Sequence, residues 1–149
     1  MTFVIFPLGE RRYALGSAEV IELLPSGKVQ TFPHTTPGLH GVLVRRGKIL
    51  PVWDVARTLA GGSTAMQKYY LVTRRNFGGE EWTAIPVSGD CQMLHAKMLP
   101  PPEGSPLYVQ GLLLLGEERI EVVALDWLAT PGTPAASQPR RTEMEGEQQ

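Results

Sequence analysis

The stretch that most constrains how this chain folds is Gly41–Leu59, GVLVRRGKILPVWDVARTL. One apolar run enters a turn at Gly47–Lys48 and a second leaves it, which is the pattern of a β-hairpin. Asp54 is placed to cap a short helix over residues 55–60, which Gly61–Gly62 would end. A lone hairpin is marginal in water, so this one needs further strands to cover its apolar face.

Those strands are present on both sides. Phe3–Phe6 and Arg12–Leu15 flank the turn Gly9–Glu10, and Val20–Leu24 runs to a stop at Pro25-Ser26-Gly27. Ser17–Val20 reads as one helical turn with Ser17 as its cap, and residues 32–37 as a polar, proline-bearing connection. After a flexible link at Gly62–Gln67, strands are expected at Tyr69–Thr73, Trp82–Val87 and Cys91–Ala96, with a turn at Asn76–Gly79. Pro100–Pro102 must be an irregular loop, because consecutive prolines remove ladder donors. Tyr108–Leu115 and Arg119–Leu125 form a last hairpin across Gly116–Glu118, followed by a short apolar helix at Asp126–Leu128. The order Gly41, Gly47, Ile49, Val52, Asp54 returns approximately as Gly111, Gly116, Ile120, Val123, Asp126. Many short strands in two echoing halves predict an all-β protein of two small barrels packed together. Residues 131–149 are dominated by Pro, Ala, Ser, Gln, Arg and Glu, a composition expected to stay disordered.

Composition narrows the function. A net charge of -1 over 149 residues offers no basic field for nucleic acid or anionic lipid. The single cysteine, Cys91, allows no internal disulfide, and Met1–Leu8 reads as a strand rather than a secretion signal. With no apolar run near the roughly 20 residues that span a bilayer, a cytoplasmic protein is expected. His34, His40 and His95 share no ligand spacing, Gly47–Lys48 lacks the rest of a phosphate-binding loop, and no nucleophile elbow occurs. The expectation is a non-enzyme with no metal and no cofactor. The arginine pairs Arg11–Arg12, Arg45–Arg46 and Arg74–Arg75 leave an oligonucleotide-binding barrel as the alternative. Alternation along a strand limits that reading, since at most one of each pair faces a given ligand. More distinctive is Glu22, a lone charge in an apolar strand, with Arg46 at the end of another. The pair suggests an ion pair across two strands of one barrel.

The ordered series resembles the CheW family of chemotaxis coupling proteins. Gly41–Val55 is similar to the family signature Gly-Val-(x)3-Arg-Gly-x-Ile-(x)-Pro-Val/Ile-(x)-Asp-Leu. Phe3–Phe6 with Tyr13 looks like the opening hairpin, Val20–Leu23 like Val-x-Glu-Ile, and Tyr108–Leu112 like Tyr-Ile-x-Gly. The resemblance covers about residues 3–128. It implies two SH3-like five-stranded barrels with short helices, in a domain over residues 1–130. One subdomain is expected at about 15–65 and the other at about 66–115, with the terminal segments crossing between them. It also implies an adaptor for the regulatory domain of the chemotaxis histidine kinase and for the cytoplasmic tip of methyl-accepting chemoreceptors, without membrane insertion. Receptor-facing positions match Val20, Gly41 and Arg46, with Glu22 the partner of that arginine; no kinase-binding residues follow. The chain departs from the family where Val44–Arg45 replaces Asn-Leu, and where Ala84–Ser88 replaces Gly-x-Val-Val-Asp, which leaves a divergent member of the family in a non-flagellar signalling pathway as a further alternative.

Overall fold

The computed structural model describes residues 1–25, 39–59, 67–75 and 81–128. Ten strands run in chain order: β1 (Thr2–Leu8), β2 (Arg11–Gly16), β3 (Val20–Pro25), β4 (Leu39–Arg45), β5 (Lys48–Trp53), β6 (Tyr69–Arg75), β7 (Glu81–Val87), β8 (Gln92–His95), β9 (Val109–Leu115) and β10 (Glu118–Val123). Among the described residues, helices are confined to a 3₁₀ turn at Ser17–Glu19, α1 (Ala56–Leu59) and α2 (Leu125–Leu128). Gly16, not Ser17, occupies the cap position of the 3₁₀ turn, and no side chain caps it. The expected tail at 131–149, the connection holding His34, the turn at 76–79 and most of the Gly62–Gln67 link lie outside the described residues.

The strands form two five-stranded sheets, ordered β3-β6-β7-β5-β4 and β8-β1-β2-β10-β9. The fold is therefore all-β, as expected, but the chain is divided differently. The expected boundary at 65 and 66 follows the Gly-rich link, yet β6 and β7 lie on the same sheet as β3, β4 and β5. The second sheet instead joins β1 and β2 from one end of the chain to β8, β9 and β10 from the other. A parallel pairing of β2 with β10 makes that join. Composition marks where a loop is, but distant hydrogen bonding decides sheet membership.

The two sheets follow one plan. Val52 lies opposite Gly41 on β4 and opposite Ala84 on β7; Val122 lies opposite Gly111 on β9 and opposite Ala14 on β2. These registers equate Leu50 with Ile120 and Trp53 with Val123. The repeat read from the sequence is thus one residue out at Ile49 and Val52. The misreading comes from aligning the glycines of two turns that place glycine at different positions.

Matching registers give each barrel a matching core. Leu24, Leu43, Leu50, Val52, Tyr70, Val72 and Ala84 cluster in the first. Phe3, Ile5, Ala14, Leu113, Ile120 and Val122 cluster in the second, with Leu94 packed against them. Between the sheets lies a third, shared core that includes Phe6, Tyr13, Leu15, Trp53, Leu71, Ile85, Val123 and Leu125. Burying apolar area between the sheets, at about 25 cal/mol per Å², holds the barrels together. Polar ties supplement it: Tyr13 donates its hydroxyl to the Leu59 carbonyl at 2.9 Å. Ser88 donates its backbone N–H to Pro7 at 3.1 Å and accepts from Gly9 N–H through its hydroxyl at 3.0 Å. Pro86 sits one residue from the end of β7 and does not interrupt it.

Gly111 marks where the second barrel is covered. Leu99 and Leu112 exchange backbone hydrogen bonds at 2.8 and 2.9 Å, laying the segment after β8 along the free edge of β9. A Cβ on Gly111 would stand 2.5 Å from the Leu99 oxygen and 2.5 Å from Met98 Cγ. Gly111→Ala is expected to lower stability by about 1–3 kcal/mol. Chemical denaturation would show it as a lower midpoint with an unchanged slope.

Candidate functional site

The hairpin of β4 and β5 turns through two residues, Arg46 and Gly47, with Arg45 paired to Lys48. Both turn residues are left-handed, at φ 54° and φ 77°. A two-residue turn of type I′ requires that, because its twist matches the strands. The turn therefore lies one residue earlier than the Gly47–Lys48 expected from sequence, and Arg46 belongs to the turn rather than the strand. Such a backbone suits glycine; for a side-chain-bearing residue it costs roughly 1–2 kcal/mol.

That shift redistributes the charges. Glu22 lies on β3 and Arg45 on β4, the two edge strands of the first sheet. Arg45 donates to Glu22 from Nε and from a terminal nitrogen, both at 3.1 Å. Arg46 reaches the same carboxylate through a single contact at 3.5 Å. The main partner of Glu22 is therefore Arg45, not the expected Arg46. A two-pronged guanidinium–carboxylate bond fixes orientation as well as attraction. Hydrogen bonding from Arg45 holds the Glu22 carboxyl below its ordinary range. The pair fastens together the two edges of the sheet, where the main chain leaves unpaired donors and acceptors.

Val20 and Gly41 lie on those same two strands. Val20 is half-buried opposite Thr73 and packs against the shared core; Gly41 is buried opposite Val52. On the outer face of the hairpin Val44 and Ile49, register partners, are 56% and 72% exposed. The sequence reading did not single them out: in a continuous apolar run, the residue types do not reveal which face is inward. Lys48 stands over the Trp82 ring at 4.4 Å.

The other candidates disperse. Arg11 stacks over Tyr13, Arg12 pairs with Glu118, and Arg74 donates to the Ala18 carbonyl at 3.2 Å. The described side chains of these arginine pairs are thus split between the barrels and occupied with protein partners, rather than lining one groove. No group of metal-ligating side chains occurs among the described residues. Burial and Asp90 push the Cys91 thiol up to about 11, which keeps it protonated and weakly nucleophilic at neutral pH. No described helix is long and apolar enough to cross a membrane.

Two tests follow from these charges. Reversing Arg45 to Glu is expected to lower thermal stability, and adding Glu22→Arg to restore most of it; if the double variant is no better than the single, the pair does not fasten the seam. Burial, then Asp126, pushes the Glu19 carboxyl from 4.5 up to about 7, and its Oε1 is buried without a hydrogen-bond partner among the described residues. Between those pH values the folded chain holds a proton that the unfolded chain has released. Stability should fall as pH rises from about 4.5 to about 7. Glu19→Gln should flatten that slope in a pH series of melting temperatures; an unchanged slope would contradict it.

The description "CheW-like domain" matches residues 2–130. Protein FrzA of Myxococcus xanthus is 31% identical over 115 residues, covering 74% of this chain and 71% of that protein. Chemotaxis protein CheW of Klebsiella aerogenes is 29% identical over 133 residues, covering 85% and 80%. The crystal structure of scaffolding protein TtCheW from Thermoanaerobacter tengcongensis superposes with a TM-score of 0.71 at 22% identity, covering 90% of each chain. The family match, the paired barrels and the relatives agree: the chain belongs to the CheW-like domain family of chemotaxis coupling adaptor proteins.

Proposed function

We propose that this chain joins the cytoplasmic tip of methyl-accepting chemoreceptors to the regulatory domain of a chemotaxis histidine kinase, working in the cytoplasm at membrane receptor arrays. The observation that carries this reading is the Glu22–Arg45 bond across the edges of the first barrel. It lies among the positions that the family resemblance assigns to the receptor. Val20 and Gly41, also assigned to the receptor, flank it on the two strands it joins. The bond holds that surface in one shape, and a pre-shaped surface binds a helical partner with less ordering cost. The barrel fold implied for the kinase regulatory domain favours pairing of like surfaces. Ser88 stands where the family carries aspartate, and it ties β7 to the β1–β2 turn. Kinase contact through that region would use a different chemistry from the family's.

Pull-down of the chain with a soluble chemoreceptor cytoplasmic hairpin and, separately, with a kinase regulatory domain tests the reading. Binding to both is expected. A folded chain that retains neither would overturn it. Val20→Lys, which puts a charge on the receptor-facing edge, is expected to weaken receptor capture at least tenfold and leave kinase capture unchanged; equal loss of both would contradict the assignment.

A further inference from the structure

The chain crosses between the two sheets twice, through residues 17–19 from β2 to β3 and through residues 88–91 from β7 to β8. The registers that equate the barrels also equate these crossings. Glu22 lies opposite Val72 as Gln92 lies opposite Ile5, and Val20 lies opposite Thr73, whose counterpart on β1 is Phe6. Continuing β8 back by one residue brings Cys91 to the place of Val20, and both pack against the shared core. Glu19 therefore corresponds to Asp90. Each crossing carries one acid just before it enters its barrel.

The two acids are housed differently. Asp90 is exposed and accepts a hydrogen bond from the Tyr69 hydroxyl. Glu19 has its Oε1 buried with no hydrogen-bond partner among the described residues. The 3₁₀ turn that carries it packs on β1, which has no ionisable side chain, and on β6. On β6, Tyr70 lies in the core of the first barrel, and Arg74 donates from Nε to the Ala18 carbonyl at 3.2 Å. The charge that acts on Glu19 comes from α2, as Asp126. The corresponding place in the other half, three residues past Trp53 as Asp126 is three past Val123, holds Ala56. Only the crossing into the first barrel sets one carboxyl against another.

The backbone after Glu19 is built to give. Val20 donates its N–H to the Ser17 carbonyl, so it moves with the 3₁₀ turn. Val20 and Glu22 pair with the adjacent residues Thr73 and Val72, which leaves Ile21 as a bulge between them. A bulge breaks the ladder locally and lets the strand bend. While protonated, the Glu19 carboxyl is neutral and stays buried at little cost; ionised, it is an unpaired charge beside a second one. Burial, then Asp126, raises it from 4.5 to about 7, so the change of state falls near neutral pH.

We propose that Glu19 and Asp126 form a proton-operated device on the crossing into the first barrel. With the proton in place Val20 is seated for the receptor; when it is lost the 3₁₀ turn moves off α2, carries Val20 with it and weakens receptor capture. The proposal rests on the adaptor reading, because the edge it regulates is the one which that reading gives to the receptor.

Calorimetric titration with a soluble chemoreceptor cytoplasmic hairpin, at about pH 6 and about pH 8 and in buffers of different ionisation enthalpy, tests it. The unsubstituted chain is expected to bind about fivefold more weakly at the higher pH. Between those values it should take up a proton on binding, since a proton that favours the receptor is in turn favoured by it. Glu19→Gln, neutral throughout, should bind at both pH values as the unsubstituted chain does at the lower one, with no proton uptake. Asp126→Asn should move the transition towards acid. Without any receptor, the Val20 amide resonance should titrate in the unsubstituted chain and stay fixed in Glu19→Gln. Equal affinity at both pH values overturns the proposal, and so does a pH dependence that Glu19→Gln retains, which would belong to ionisable groups elsewhere. A folded chain that binds no receptor hairpin at either pH overturns the adaptor reading and this inference with it. Binding whose pH dependence Glu19→Gln leaves unaltered overturns the inference alone.

Discussion

A five-stranded sheet rolled towards a barrel still has two edges, and this chain has to secure two such seams. Unpaired edges waste hydrogen-bonding groups and invite association with other strands. The second barrel covers the β9 edge with main chain, through the Leu99–Leu112 exchange that Gly111 makes room for. The first joins its edges with side chains, through Glu22 and Arg45. The shape of the surface around the β4–β5 hairpin depends on that bond.

The barrels are near-duplicates in their cores and differ at their rims. Leu43 matches Leu113, Val52 matches Val122 and Ala84 matches Ala14, so the same packing problem is solved twice. At the centre of the molecule the match ends. Thr73 and Thr83 share a buried hydroxyl contact at 2.7 Å where the other sheet sets Phe6 against Tyr13. The aromatic pair belongs to the shared core, and Tyr13 reaches across to the Leu59 carbonyl. At its rim the first barrel carries the Glu22–Arg45 bond, and the second the Arg12–Glu118 bond.

Much of this was legible in the sequence, and what was not has physical causes. Strand positions were readable because Gly, Pro and polar turns interrupt short apolar runs at every change of direction. Sheet membership was not, because β2 and β10 pair across more than a hundred residues, beyond anything local periodicity records. Glu22 stood out as a charge in an apolar strand, and the expectation of an ion pair to the β4–β5 hairpin survives. The expected arginine, Arg46, makes a single contact at 3.5 Å, and Arg45 beside it makes the shorter, two-pronged one. Gly47 drew the turn towards itself, whereas a type I′ turn also takes the residue before it. The exposure of Val44 and Ile49 was hidden for a related reason: four apolar residues in five carry no alternation from which to read a face.

The central claim is that the edges of the first barrel, fastened by Glu22 and Arg45, form the receptor-facing surface. Hydrogen–deuterium exchange of the chain, alone and saturated with a soluble chemoreceptor cytoplasmic hairpin, tests it directly. The account predicts slowed exchange in β3 around Val20–Glu22 and in the hairpin from Gly41 to Lys48, with β8–β10 little changed. Protection confined to β8–β10, or spread evenly over both barrels, would contradict it.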